Sequence, residues 1–130
     1  MSRYLDTAAL IELARNAEQT DVPACNCTKT PLDGWQSQPL SLDERQLELI
    51  GTLVPEDEAE PTFSEYLPGD VSYWSENAPI APRYFPYNRC SVWRCSLCGR
   101  MYLRYTEGGG YFVDQRIRAL KARLIEDVPL

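Results

Sequence analysis

Leu5, Ala8, Ala9, Ile11, Leu13 and Ala17 recur at roughly helical spacing, and Glu12, Arg15 and Glu18 fall on the remaining positions. A stripe of this period predicts an amphipathic helix over residues 6–19. Pro23 ends it, and a polar, turn-rich run, ACNCTKTPLDGW, follows. At residues 41–44 the sequence SLDE has the form of a capping box. Ser41 would accept from the backbone N–H three residues on, and Glu44 would reach back. Leu42, Leu47, Leu49 and Ile50 then predict a shorter second helix, stopped at Gly51.

The pattern breaks over residues 55–86, where six prolines each remove a backbone donor. Neither a long helix nor a central strand fits there. Phe63, Tyr66, Tyr73, Trp74, Ile80, Tyr84, Phe85 and Tyr87 supply more apolar area than a disordered linker carries. The segment is therefore expected to be irregular but ordered, wrapping the core. Beyond it the pattern becomes strand-like. Residues 92–95 lead into a turn, residues 101–106 lead out of it, residues 107–110 (EGGG) form a hairpin connection, and residues 111–117 return. Met101, Leu103 and Tyr105 alternate with Tyr102 and Arg104, which predicts a sheet buried mainly on one face. A last short helix is expected over residues 119–125. The elements together imply an α+β fold: a small antiparallel sheet packed with an N-terminal helix and a shorter second helix.

Length and composition narrow the class. A chain of 130 residues suits a single domain, residues 1–130. No stretch approaches the ~18 apolar residues of a membrane span. The first apolar region carries acids and lacks a small-residue cleavage site, so no secretory signal is read there, and the cytoplasm is the expected location. The net charge of −6 conceals a division. Residues 1–82 balance at −11 and residues 83–123 at +7, so two oppositely charged halves either neutralise each other or leave one half as a docking face.

The five cysteines favour metal chemistry over a disulfide framework in a cytoplasmic chain. Cys95 and Cys98 lie in VWRCSLCGRMYLRY, where a C-x-x-C turn is followed by a glycine suited to φ > 0. These 14 residues resemble the knuckle of a zinc-ribbon or rubredoxin-type hairpin. The resemblance implies two thiolate ligands here and a second pair elsewhere. No second C-x-x-C exists, but Cys25-Asn26-Cys27 does. In a straight strand its two Cβ atoms would stand about 7 Å apart, too far to chelate one ion comfortably. A bend at Asn26, a residue that tolerates the left-handed region, would bring them together. Cys25, Cys27, Cys95 and Cys98 are thus the expected ligands of one structural Zn2+. Such a site would close a loop of nearly 70 residues. Zinc binding, worth roughly 10–16 kcal/mol in zinc-finger peptides, can offset that. Two alternatives stay open: Cys90 replacing one of the first pair, and thiols that are buried or paired without metal. Thioredoxin-like chemistry is disfavoured, because its motif opens a helix and residues 99–103 continue as a strand.

The chain has no histidine. That removes the commonest general base, the usual partner of a nucleophile and the usual ligand of catalytic zinc, so no enzyme is expected. Gly108–Gly110 is not followed by G-K-[ST] and is not a phosphate loop. Two binding functions remain. The first reads Glu56, Asp57, Glu58 and Glu60, with Tyr66, Tyr73 and Trp74, as a face for a basic protein partner. In size, charge and lack of catalytic apparatus the chain is similar to bacterial immunity proteins, which implies an inhibitor of a toxin or nuclease. The second reads Arg83, Arg89, Arg94, Arg100, Arg104, Arg116, Arg118, Lys121 and Arg123, set among Trp93, Tyr102, Tyr105 and Tyr111, as a single-strand or RNA-binding sheet. The pI of about 4.6 weighs against it.

Overall fold

The computed structural model describes residues 3–19, 24–56, 60–108, 111 and 113–130. Helix α1 (Thr7–Gln19) starts where the Asp6 carboxylate accepts from the Ala9 N–H at 2.8 Å, as an N-cap should. Its apolar stripe turns Leu10 and Ala14 fully inward. The strands are β1 (Gln36–Ser37), β2 (Leu47–Thr52), β3 (Ser91–Cys95), β4 (Met101–Gly108) and β5 (Val113–Ala119). They form one antiparallel sheet in the order β1-β5-β4-β3-β2. An α+β architecture with a small antiparallel sheet is therefore present.

The expected second helix is not. After a three-residue 3-10 turn, Glu44–Gln46, the chain runs straight into β2. The turn is capped by Asp43, whose Oδ1 accepts from the Arg45 N–H at 2.9 Å, and Ser41 plays no such part. Pairing with β3 decides the matter: Leu47 lies opposite Cys95 and Leu49 opposite Trp93. Gly51 ends no helix. A Cβ there would stand 2.7 Å from the Arg3 carbonyl oxygen and 2.8 Å from Leu5, so glycine lets the segment before α1 lie against β2. The expected helix at 119–125 also resolves differently, as the end of β5 and a 3-10 turn, Ala122–Leu124. The hairpin glycines Gly109 and Gly110 lie outside the described residues. Glu107 and Gly108 belong to β4, opposite Asp114 and Val113.

The sheet is buried on both faces, not mainly on one. On the first face Val92, Met101, Leu103 and Tyr105 pack with Leu5, Leu10, Ala14, Trp35 and Ile80. On the second, Leu47, Cys95, Tyr102 and Ile117 pack with Cys27, Leu32 and Leu42. The sequence between β1 and β2 and the stretch around the first cysteines cover part of this second face, and no local pattern announces that. Among the described residues of 53–90 there is no regular element beyond the 3-10 turn Tyr87–Arg89, yet Ala78, Ile80, Ala81 and Tyr87 are core residues, as a wrapping segment requires. Arg118 is fully buried, and no carboxylate among the described residues pairs with it. It donates from Nη1 to Tyr87 Oη at 2.6 Å and from Nη2 to the Glu76 carbonyl at 3.3 Å. Among the described residues no helix is long and apolar enough to cross a membrane.

Candidate metal centre

Two short turns supply the sulfur atoms. Cys25 is extended (φ −144°, ψ 150°) and leads into the 3-10 turn Asn26–Thr28, tied by Thr28 N–H and Oγ1 donating to the Cys25 carbonyl at 3.1 and 2.7 Å. That turn supplies the bend the spacing demanded. It does so without a left-handed Asn26, since no non-glycine residue among those described has positive φ. At the other end β3 stops at Cys95. Gly99 takes φ +85° and donates to the Cys95 carbonyl at 2.7 Å, while the Cys95 N–H reaches the Arg100 carbonyl at 2.8 Å. This is the geometry the C-x-x-C-G run predicts.

Cys25, Cys27, Cys95 and Cys98 bring their sulfur atoms within 4.8 Å of one another. Cys25 Sγ lies 3.7 Å from Cys95 Sγ, and Cys27 Sγ lies 3.5 Å from Cys98 Sγ. A covalent S–S bond would be about 2.05 Å. Four sulfurs bound at about 2.3 Å in a tetrahedron stand about 3.8 Å apart. The observed spacings match the second figure. Cys27, Cys95 and Cys98 are buried and Cys25 is half-buried. Cys90 lies apart, fully buried in the core of the first face, its thiol directed to the Pro86 carbonyl at 3.3 Å. Burial pushes that thiol well above its ordinary range, so it behaves as an inert apolar group.

The groups around the sulfurs were not legible in the sequence. Gln46 Nε2 donates to Cys95 Sγ at 3.3 Å and to Asn26 Oδ1 at 3.0 Å, which ties the two turns together. Tyr102 donates its hydroxyl to Cys27 Sγ at 3.1 Å, and Arg100 hydrogen-bonds Cys98. Without a cation the thiols respond unequally. Burial pushes Cys27 up to about 12 and also raises Cys98. For Cys95 burial is outweighed by the Gln46 amide and the N–H groups of Leu97 and Cys98, and the thiol falls to about 7. A dication at the centre would favour the thiolate form of all four.

The candidate partner-binding residues are dispersed. Glu56 and Glu60 are exposed, and Asp57 and Glu58 lie outside the described residues. Trp74 is 54% exposed, but Tyr66 is half-buried against Tyr84. Tyr73 is structural: its hydroxyl meets that of Tyr105, and both accept from Arg116 Nη1 at 3.1 Å. Phe63, 67% exposed, is a better candidate. Comparison with family models, with curated proteins and with solved structures yields no match. The fold and site therefore define the class by themselves: an α+β protein with a four-cysteine cluster suited to a metal ion.

Proposed function

We propose that the four cysteines hold a structural Zn2+ and that the protein is a non-enzymatic binding protein for a positively charged protein partner, in the manner of an immunity-type inhibitor. The observation that carries the metal reading is the pair of S–S distances, 3.7 and 3.5 Å, against the ~3.8 Å edge of a zinc–thiolate tetrahedron. Four thiolates leave no open position for water, so the ion's role would be to fasten the first cysteine turn to the β3–β4 hairpin.

Charge distribution supports the partner reading. In residues 83–123 the basic side chains are largely spent within the chain. Arg94 pairs with Glu48, Arg104 with Glu44, Arg116 with Asp114, Lys121 with Asp33 and Arg83 with Asp127. Glu60, Glu65, Asp70 and Glu76 are exposed. Two exposed rings, Phe63 and Trp74, are braced from behind. Phe63 packs on Phe85 at 5.6 Å, Phe85 on Tyr105 at 6.0 Å, and Trp74 on Tyr73 at 4.6 Å. Exposed, braced rings on a segment that also carries exposed carboxylates suit a basic protein, with the rings giving affinity and the charges giving association rate.

The metal reading is tested by elemental analysis of tag-free protein, with one zinc per chain expected and a metal-free folded protein refuting it. The partner reading is tested by gel shift at physiological salt. Retardation of single-stranded RNA or DNA would replace the acidic-face reading with the nucleic-acid one.

A further inference from the structure

The cysteine turns and the β1–β2 connection cover only part of the sheet's second face. The rest is an open groove of about 630 Å³, lined by Ser91, Trp93 and Arg104 from the sheet and by Glu44, Arg45 and Arg89 around them. Its hydrogen-bonding groups do not balance. A guanidinium carries five N–H donors and no acceptor. Arg104 is 6% exposed and lies 4.8 Å over the Trp93 ring. Its Nη2 donates to Glu44 Oε1 at 2.5 Å, while its buried Nε has no partner. Arg89 is similar: Nη2 donates to the Pro61 carbonyl at 2.7 Å, the guanidinium lies 4.0 Å over Phe63, and its buried Nε is also unpartnered.

Arg45 is already paired with Asp43, so Arg89 and Arg104 are left facing one carboxylate, Glu44, and the groove is locally positive on a chain of net charge −6. That carboxylate is poorly held. The Glu44 side chain is 64% exposed on a three-residue 3-10 turn, with one further tether from Gln38 Nε2 at 3.2 Å. Burying a part-paired cation is costly, and an added acceptor relieves the cost. Planar guanidinium groups match carboxylate and phosphate oxygens two at a time. The volume also falls within the roughly 300–1,000 Å³ of small-molecule sites.

We propose that this groove binds a small organic oxyanion, a phosphate monoester or a carboxylate, whose oxygens meet Arg104 in place of Glu44 while its carbon skeleton lies against Trp93 and Val54. Glu44 is then a resident competitor, occupying the position until a ligand arrives. The site does not depend on the metal reading, and a zinc-loaded and a zinc-free folded chain would both retain it.

The test follows the Trp93 indole N–H and the Arg104 Nε–H by NMR on the full chain. Phenyl phosphate and benzoate are titrated separately, with ionic strength held constant by chloride. Saturable shifts of both signals with at least one probe are expected, and the stronger probe identifies the oxyanion. Glu44→Gln removes the competing carboxylate and should tighten binding roughly two- to fivefold, as loss of an exposed ion pair implies. Arg104→Gln should abolish it; if that variant does not fold, Glu44→Gln carries the test. Shifts that stay linear with both probes, or affinity unchanged or weakened in Glu44→Gln, would overturn the proposal. So would a response of these signals to single-stranded RNA alone.

Discussion

Tyr102→Phe removes one oxygen atom and isolates the contribution of a single contact to the metal centre. The ring is 2% exposed and packs in the second-face cluster with Cys27, Leu32, Leu47 and Ile117. Phenylalanine keeps that packing, so the main loss is the hydrogen bond from the hydroxyl to Cys27 Sγ at 3.1 Å. With metal bound, the sulfur is a thiolate, and a hydrogen bond to a charged group is worth about 1.5–3 kcal/mol. At about 1.4 kcal/mol per decade this weakens metal binding roughly 10- to 150-fold. That range overlaps the loss of about 10- to 100-fold seen when outer contacts of metal ligands are removed. Competition against a chromophoric chelator at neutral pH measures the loss directly. Tyr105→Phe is the control, because its hydroxyl faces Tyr73 and Arg116 and contacts no cysteine. Equal affinities for wild type and Tyr102→Phe would refute the claim that Cys27 is a metal-bound thiolate in this geometry.

Other outcomes follow from the same structure. Cys25→Ser and Cys95→Ser should each release the metal, and each kcal/mol of stability lost should lower the melting temperature by roughly 3–4 °C. Cys90→Ser should leave metal content at the wild-type level, since Cys90 lies in the other core cluster. Tyr87→Phe deprives the buried Arg118 and the Trp35 indole of their shared acceptor and should cost about 2 kcal/mol in urea denaturation at neutral pH. Burial, partly offset by Arg118, pushes the Tyr87 phenol up from 10.0 to about 12. The neutral form is thus the one the fold favours. The stability this confers is complete below pH 10 and fades as the unfolded chain ionises between pH 10 and about 12, so the wild-type and Tyr87→Phe curves should converge over that window. Gly51→Ala places a methyl group 2.7 Å from the Arg3 carbonyl oxygen and should destabilise by about 1–3 kcal/mol, measured in the same way.

Some of this protein was readable from local order alone. Apolar spacing near the N-terminus encodes α1, alternation encodes β3 and β4, and C-x-x-C-G encodes a turn whose glycine has φ +85°. The candidate ligand set was also within reach. With no histidine and one C-x-x-C, the paired cysteines at 25 and 27 were the natural complement. These signals are local because helix period, strand period and turn chemistry are properties of adjacent residues.

What tertiary structure alone decided is which distant groups meet. Residues 47–52 hold leucines at spacings that fit a helix or a strand, and only the free edge of β3 selects the strand, placing Leu47 opposite Cys95. The alternation in β4 cannot say whether Tyr102 and Arg104 face water. Tyr102 is buried because the first cysteine turn and the β1–β2 connection fold over it, and Arg104 because Glu44 and Trp93 flank it. Gln46 and Tyr102 reach the sulfurs from positions 49 and 75 residues away from the cysteines they contact, and no spacing rule spans such a distance. Of the arginines that suggested a nucleic-acid surface, Arg94 meets Glu48 on the neighbouring strand and Arg104 meets Glu44 in the turn before β2 for the same reason. A side chain's chemistry is written in its own position, but its partners are chosen by the path of the whole chain.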